Sequence, residues 1–195
     1  TAQAIALYLG IVPEGKEQLV ADKLCEVVRA HNHFLDFGLL GSKSVPAMLT
    51  RYGYVEDAIK MITKTEAPSW GYWVETMGYT TLPETWTLRP EVRDACLHHV
   101  FMGDVSAWMM NQLAGINYDA VEPGFRHILI TPHFVERVNW AKGEYHSVRG
   151  LISSEWKREG GKVTLTVTIP SGCTAYIRVG DKTETVGSGT HLKTY

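Results

Sequence analysis

The sequence has few cysteines, little excess charge of either sign and no long apolar run. Its 195 residues contain three cysteines, Cys25, Cys96 and Cys173, spaced far apart. An odd number at such spacing argues against a disulfide framework and against a thiolate metal site. No apolar stretch is long enough to cross a bilayer, so we expect no membrane-spanning segment.

Charge is nearly balanced. The formal net charge is −2, from 19 basic and 21 acidic residues, which gives no reason to expect nucleic acid or an anionic membrane as a partner. The opening residues, TAQAIALYLG, lack the basic region of a signal peptide, and we interpret them as a chain entered within a helix. A hydrophobic content of 45% with 21% charged residues is typical of a globular protein of one or two domains.

The first part of the chain has helical periodicity. Residues 14–30 are amphipathic, and Val20, Leu24, Val27 and Val28 are expected on the buried face. A following helix that ends near Tyr52 could be capped by Ser42 or Ser44, and further helices are expected over residues 2–9, 54–64, 69–77 and 101–113. In the last of these, Val105, Trp108 and Met109 are predicted to face inward. Helices joined by short turns are typical of an α-hairpin array or an α/α toroid.

The period changes near Asn117. Residues 163–169, VTLTVTI, alternate apolar and threonine side chains and form the clearest predicted strand, preceded by a hairpin turn at Gly160-Gly161. Other strands are expected over residues 125–130, 138–146, 147–157 and 173–179. Short strands at this spacing predict an antiparallel β-sandwich. We therefore divide the chain into a helical portion, residues 1–117, and a sandwich, residues 118–195.

The stretch from Trp70 to Asp104 is the strongest candidate for function. Four of the six tryptophans lie between Trp70 and Trp108, with Glu84 among them. Glycines and a proline interrupt any single helix here, which indicates a loop held by a scaffold, and such loops often carry function. Aromatic rings can stack on a sugar, and a carboxylate beside them can act as the base that activates water in glycoside hydrolysis. Packing of the tryptophans in a core, with a solvated Glu84, is the alternative.

Three motifs in this stretch carry a family resemblance. The segments PSWGYWV, MGYTTLPETW and LHHVFMGDVSAWM resemble the C-terminal signature of the bacterial α-L-rhamnosidases. That signature is Pro-Ser-Trp, then Gly-x-Thr-Thr-x-x-Glu-x-Trp, then Leu-Asn-His followed by Gly, Val and Trp. The matching positions here are Pro68, Ser69, Trp70, Gly78, Thr80, Thr81, Glu84, Trp86, Leu97, His99, Gly103, Val105 and Trp108. Upstream, HFLDFGLLGSKSVPAMLTRYGYVEDAI resembles a helix-loop-helix of the same family.

The resemblance implies an inverting glycoside hydrolase with an (α/α)6 barrel followed by a β-sandwich. The expected fold is therefore α+β, with about half the helices of such a toroid preceding the sandwich. By position, the resemblance implies that Glu84 is the catalytic base and that His99 contacts the sugar. Trp70 and Trp86 are expected to form the aromatic surface on which the sugar lies. Pro83 and His98 stand where the family has Trp and Asn. The implied substrate is a rhamnose-containing glycoside.

Cofactors and partners complete the prediction. We expect no cofactor and no metal, since His31 and His33 have no third ligand nearby in sequence. The resemblance places the general acid upstream of this stretch, so we expect a C-terminal piece that is inactive alone. Its apolar helical face is expected to meet the missing barrel half or a second copy. Two alternatives remain open: a non-catalytic carbohydrate-binding or structural module, and another (α/α)6 enzyme such as a glucuronyl hydrolase.

Overall fold

The computed structural model describes residues 1–35, 37–86 and 96–195. Asp36 and the part of the aromatic stretch between Trp86 and Cys96 lie outside the described residues. The chain forms two compact units, Thr1–Ala107 and Trp108–Tyr195. Within the described ranges, none of the helices combines the length and apolar character that crossing a membrane requires.

The first unit is helical. Its longer elements are α1 (Ala2–Tyr8), α2 (Glu17–Ala30), α3 (Leu39–Arg51) and α4 (Val55–Ile62). A π-helical turn at Tyr72–Thr76 and a 3-10 turn at Val100–Gly103 follow, and α5 (Asp104–Trp108) begins in this unit. Helix α3 packs against both α1 and α4. Fully buried alanines on three helices, Ala4, Ala21 and Ala58, allow the backbones to approach closely.

The buried face of α2 differs from the predicted one. Leu24 and Val28 are buried as expected, but Val27 is exposed, and Ala21 and Cys25 complete the buried stripe. The stripe is therefore rotated relative to the one predicted from the large apolar residues. A prediction based on large apolar residues does not include Ala21 and Cys25, which are buried on this helix.

The predicted serine caps are wrong. Ser42 and Ser44 lie inside α3, and the residue before the helix is Gly38, with no side-chain cap. Each hydroxyl instead donates to a carbonyl of the preceding turn, Ser42 to Leu39 at 2.6 Å and Ser44 to Leu40 at 2.8 Å. The helix therefore begins earlier than the serines suggested.

The predicted helix over residues 101–113 is irregular. The segment predicted as one helix over residues 101–113 consists of the 3-10 turn, α5 and a second π-helical turn at Met109–Leu113. Val105 and Trp108 are buried as predicted, whereas Met109 is exposed. The change of helical pitch between Trp108 and Met109 rotates Met109 off the buried stripe.

The second unit contains two four-stranded sheets. Its strands are β1 (Ile116–Tyr118), β2 (His127–Ile130), β3 (Trp140–Ser147), β4 (Gly150–Glu159), β5 (Lys162–Ile169), β6 (Thr174–Val179), β7 (Lys182–Val186) and β8 (Gly189–Thr194). The strand orders are β1-β2-β6-β7 and β3-β4-β5-β8. The pairings are antiparallel except β2 with β6, which is parallel.

Side-chain alternation explains the core of this unit. In β5, Val163, Leu165, Val167 and Ile169 are buried, with partly exposed threonines between them. The strand predicted there is confirmed. The tight turn before it contains Gly160 and Gly161 with φ of 55° and 80°, the left-handed values that a two-residue hairpin needs.

Candidate active site

Backbone hydrogen bonds join two short segments around Glu84. The Glu84 N–H donates to the Cys96 carbonyl at 2.9 Å, and the His99 N–H donates to the Leu82 carbonyl at 2.8 Å. The Thr81 hydroxyl donates to the Leu97 carbonyl at 2.6 Å. Residues 81–84 and 96–99 therefore run side by side. This pairing places Glu84 and His99, both half-buried, on neighbouring segments of one loop.

Tryptophans form the support of this loop. Trp86 stacks on Trp73 with ring centroids 4.5 Å apart and an interplanar angle of 16°. The rings of Trp70 and Phe37 both meet the Trp86 ring edge-on, with centroid distances of 5.0 Å and 5.8 Å. The Trp86 indole N–H donates to the Phe37 carbonyl. Trp86 is half-buried, whereas Trp70 and Trp73 are buried, so only Trp86 of these three tryptophans retains substantial exposed surface.

Polar contacts hold the buried rings in place. The Trp70 indole N–H donates to the Met102 carbonyl at 2.9 Å, which ties the first motif to the 3-10 turn after His99. Ser69 donates from its hydroxyl to the Lys64 carbonyl at 2.9 Å. A Cβ on Gly71 would collide with that same carbonyl, so glycine is required there. A hydrogen bond or a close backbone contact therefore explains each residue of the sequence Ser69-Trp70-Gly71.

The His99 ring lies at the start of the 3-10 turn. Its Nδ1 accepts from the Phe101 N–H at 3.4 Å, and its ring meets the Phe101 ring at 5.4 Å, nearly edge-on. A neutral imidazole that accepts at Nδ1 carries its proton at Nε2. His99 in this state can donate a hydrogen bond from Nε2.

A cleft opens beside the loop. It has a volume of about 250 Å³ and is lined by Gly78, Tyr79, Thr80, Thr81, Pro83 and Leu97. Two threonines, a tyrosine and Pro83 are among the residues that line it. Concave sites that combine apolar walls with a few polar groups suit small ligands such as sugars.

Three of the four predicted site residues lie on or next to the paired segments, and the fourth is buried. Glu84, Trp86 and His99 share the hydrogen-bonded loop, whereas Trp70 lies buried against the edge of Trp86. The catalytic and binding roles assigned to these residues stay predictions. The prediction missed Phe37 and Trp73, the other two rings around Trp86. Trp73 stood in the quoted PSWGYWV motif and could have been chosen, whereas nothing in the sequence pairs Phe37 with a residue 49 positions away.

His33 has a defined partner in the helical unit. Its Nε2 lies 2.8 Å from a carboxylate oxygen of Asp57, so this histidine belongs to an ion-paired cluster rather than standing next to His31 at a shared site. Across the described ranges of the chain, no group of three or more His, Cys, Asp or Glu side chains is placed to hold a metal ion.

Family comparisons cover both units. Residues 1–113 match the family described as the bacterial alpha-L-rhamnosidase 6 hairpin glycosidase domain. Residues 115–193 match the bacterial alpha-L-rhamnosidase C-terminal domain. Together the two matches span nearly the whole chain.

Curated relatives carry the same family name. An alpha-L-rhamnosidase of Streptomyces avermitilis is 28% identical over 185 residues, which is 91% of this chain and 18% of the relative. One from Formosa agariphila is 28% identical over 174 residues, or 87% of this chain and 18% of the relative. The chain therefore spans about a fifth of the length of the curated relatives it matches.

Solved structures agree in fold. The Streptomyces avermitilis alpha-L-rhamnosidase complexed with L-rhamnose matches all of this chain and 21% of its own, with a TM-score of 0.91 and 27% identity. The enzyme from Dictyoglumus thermophilum matches 98% of this chain and 25% of its own, with a TM-score of 0.88 and 27% identity. With a helical domain followed by a β domain and family matches along 1–113 and 115–193, the chain belongs to the bacterial α-L-rhamnosidase family.

Proposed function

We propose that the protein containing this chain hydrolyses terminal α-L-rhamnosides, with Glu84 as the general base. The observation that carries the proposal is the pairing of residues 81–84 with 96–99, in which the Glu84 N–H donates to Cys96 and the His99 N–H donates to Leu82, close in sequence to the half-buried Trp86. The family matches supply the substrate class, and the relative solved with L-rhamnose supports it. Membership of this family also favours a rhamnosidase over the glucuronyl hydrolase considered from the sequence.

The proposed reaction is a single displacement with inversion. The Glu84 carboxylate accepts a proton from a water molecule, whose oxygen attacks the anomeric carbon while the glycosidic bond breaks. The leaving oxygen takes its proton from a second carboxylic acid, which in inverting enzymes lies roughly 6.5–9.5 Å from the base. We assign that acid to a part of the protein outside this chain.

The aromatic groups have separate roles in this proposal. Trp86 presents its exposed surface to the apolar face of the sugar, and the buried Trp73 and Trp70 fix its orientation. His99 donates from Nε2 to a sugar hydroxyl. Trp70 thus acts through Trp86, because only a small part of its own surface is exposed.

The partner of the helical unit is the remainder of its own domain. An apolar cleft of about 480 Å³ is lined by residues of α1, α3, α5 and the 3-10 turn, including Leu9, Leu40, Val100 and Phe101. The matched domain is described by six hairpins, while this chain covers about a fifth of its relatives. We propose that further helices of that domain cover the cleft. The assignment of residues 1–117 to the barrel and 118–195 to the sandwich stays a prediction.

The test is a charge-removing substitution at Glu84 in the full-length enzyme. Glu84→Gln should lower kcat on an aryl α-L-rhamnoside by about 10²- to 10⁴-fold, because glutamine keeps the shape but cannot accept the proton. Glu75→Gln, the same change at an exposed carboxylate of the π-helical turn, is the matched control and should leave kcat unchanged. NMR of the first-formed sugar should show the inverted anomer. Near wild-type turnover by Glu84→Gln would contradict the assignment.

A further inference from the structure

A buried carboxylate lies at one end of the helical unit. Asp57 on α4 is 5% exposed. Arg29 on α2 donates to both of its oxygens, from Nε at 2.9 Å and from Nη2 at 2.7 Å. His33, in the turn after α2, places its Nε2 2.8 Å from the same carboxylate. The bonds from Arg29 hold the pKa of the Asp57 carboxyl well below its usual range, so Asp57 is a fixed negative charge.

The turn after α2 has an unusual backbone that this charge supports. Asn32 and His33 have φ of 50° and 59°, left-handed values that cost free energy for residues other than glycine. The His33 N–H donates to the Val28 carbonyl at 2.9 Å, closing the end of the helix. The side-chain bond from His33 to Asp57 joins the turn to α4.

The chain leaving this turn leads directly to the candidate site. Leu35 is buried, and its N–H donates at 3.4 Å to the carbonyl of Pro68, the residue before the Ser-Trp-Gly motif. Phe37 then packs its ring against Trp70 and Trp86, and its carbonyl accepts the Trp86 indole N–H. Phe37, which shares the support of Trp86 with Trp70 and Trp73, lies four residues after His33, the residue that bonds to Asp57.

We propose that Asp57, acting through His33, is a positioning residue for Trp86 and thereby for the Glu84 loop, an inference that rests on the proposed function of that loop. Its carboxylate fixes the turn and the turn positions Phe37. Phe37 then adds one hydrogen bond and one ring contact to the support that Trp70 and Trp73 give the indole of Trp86. Asp57 takes no part in proton transfer to the substrate.

The experiment compares variants that break or keep the His33 contact. Glycine at position 33 accepts a left-handed backbone without strain but removes the bond to Asp57. Glutamine keeps an N–H donor at a similar reach and should rescue it. Asp57→Asn removes the charge itself. The control is Asp22→Asn, which removes a carboxylate of α2 that accepts at 2.6 Å from the hydroxyl of Tyr54, the residue before α4, without touching the turn.

Two readouts separate positioning from simple stability. The closely stacked Trp73 and Trp86 rings should give a coupled near-ultraviolet circular dichroism band, which depends on their orientation and not on turnover. We expect His33→Gly and Asp57→Asn to lose that band, and to lower kcat in the full-length enzyme by about 10- to 100-fold at temperatures where they remain folded. His33→Gln and Asp22→Asn should keep both.

Different results would contradict the positioning role of Asp57 and the catalytic role of Glu84. If His33→Gly lowers only the melting temperature, with the dichroism band and kcat of the folded enzyme intact, Asp57 is structural and the inference is overturned. If Asp57→Asn does not fold, His33→Gly still decides the question. If Glu84→Gln retains turnover, the proposed base is wrong, whereas the dichroism comparison continues to test the placement of Trp86.

Discussion

The two units of the chain are held together in different ways. Among the described residues, the helical unit buries Ser42, Ser44, Thr50, Asp57 and Ser69, whereas the second unit buries the single polar side chain of Ser154. Two of these groups join segments far apart in sequence: the Ser42 hydroxyl donates to the Phe101 carbonyl at 2.9 Å, and Asp57 accepts from Arg29. Both units have an apolar core, and the second unit closes around its core through strand ladders.

The polar contacts of the helical unit and the apolar core of the second unit are expected to have different effects: the polar contacts position loops, and the apolar core stabilises the fold. A hydrogen bond between distant segments fixes where a loop lies, but it contributes only about 0.5–1.5 kcal/mol net. Burying large apolar side chains contributes more but does not fix one orientation as sharply. We therefore expect substitutions in the sandwich core to unfold that unit, and substitutions of the polar contacts to displace the candidate site while the unit remains folded.

The largest expected effect is on the sandwich core. Trp156 is fully buried, and its indole donates to the Leu113 carbonyl at 2.8 Å. Trp156→Ala should lower the free energy of unfolding by about 3–5 kcal/mol, measured by urea denaturation. Trp140→Ala is the matched control, since that side chain is 63% exposed. A comparable loss for both variants would mean that burial does not govern the stability of this unit.

Sequence periodicity predicted strands better than it predicted helix faces. Strand β5 was predicted within one residue of its observed start because alternation has a fixed period of two. The stripe on α2 was rotated because Ala21 and Cys25, rather than Val20 and Val27, meet the neighbouring helices. The pitch changes around Trp108 could not be read from a helical period, which assumes one pitch throughout.

The candidate site was only partly predictable. Motif spacing brought Glu84, Trp86 and His99 to attention, and the structure joins their segments by hydrogen bonds. Phe37 contacts Trp86 together with Trp70 and Trp73, and His33, in the turn before Phe37, bonds to Asp57. Contacts between residues so distant in sequence follow from helix packing, which one sequence does not specify.

The next prediction concerns association of the chain on its own. Leu40 is 62% exposed beside the apolar cleft of the helical unit, and Leu192 is 68% exposed in the sandwich. We expect the isolated chain to self-associate through the cleft, because covering contiguous apolar surface is favourable. Leu40→Lys should shift the chain toward monomer in light scattering, and Leu192→Lys should not. A wild-type monomer at all concentrations would contradict this expectation.

Acid should weaken the two units in different pH ranges. Burial, with the positive charge of Arg178, lowers the pKa of His133 in the sandwich below 6.5, so its stabilising effect is lost as the pH falls below that value. Asp57 has a pKa lowered from 3.8, so its contribution persists above that value and is lost only below it. Hydrogen exchange measured at about pH 7, 5 and 3, above and below the ordinary pKa values of histidine and aspartate, should show the sandwich weakening first. His133→Gln should remove the earlier step.

Thiol labelling gives the finest comparison of the two units. Cys25 in the helical unit is 2% exposed and Cys173 in the sandwich is 3% exposed, so burial alone does not distinguish them. Burial raises the pKa of the Cys25 thiol to about 11, and reaction therefore requires the unit to open. Exposed Cys96 should react with a thiol reagent first, which calibrates the assay. Because segments of the helical unit are joined in part by polar contacts that each contribute little, we expect Cys25 to react before Cys173. In denaturant all three should react alike. If Cys173 reacts with or before Cys25 in native conditions, the sandwich opens at least as readily as the helices, and the contrast between the units does not extend to their dynamics.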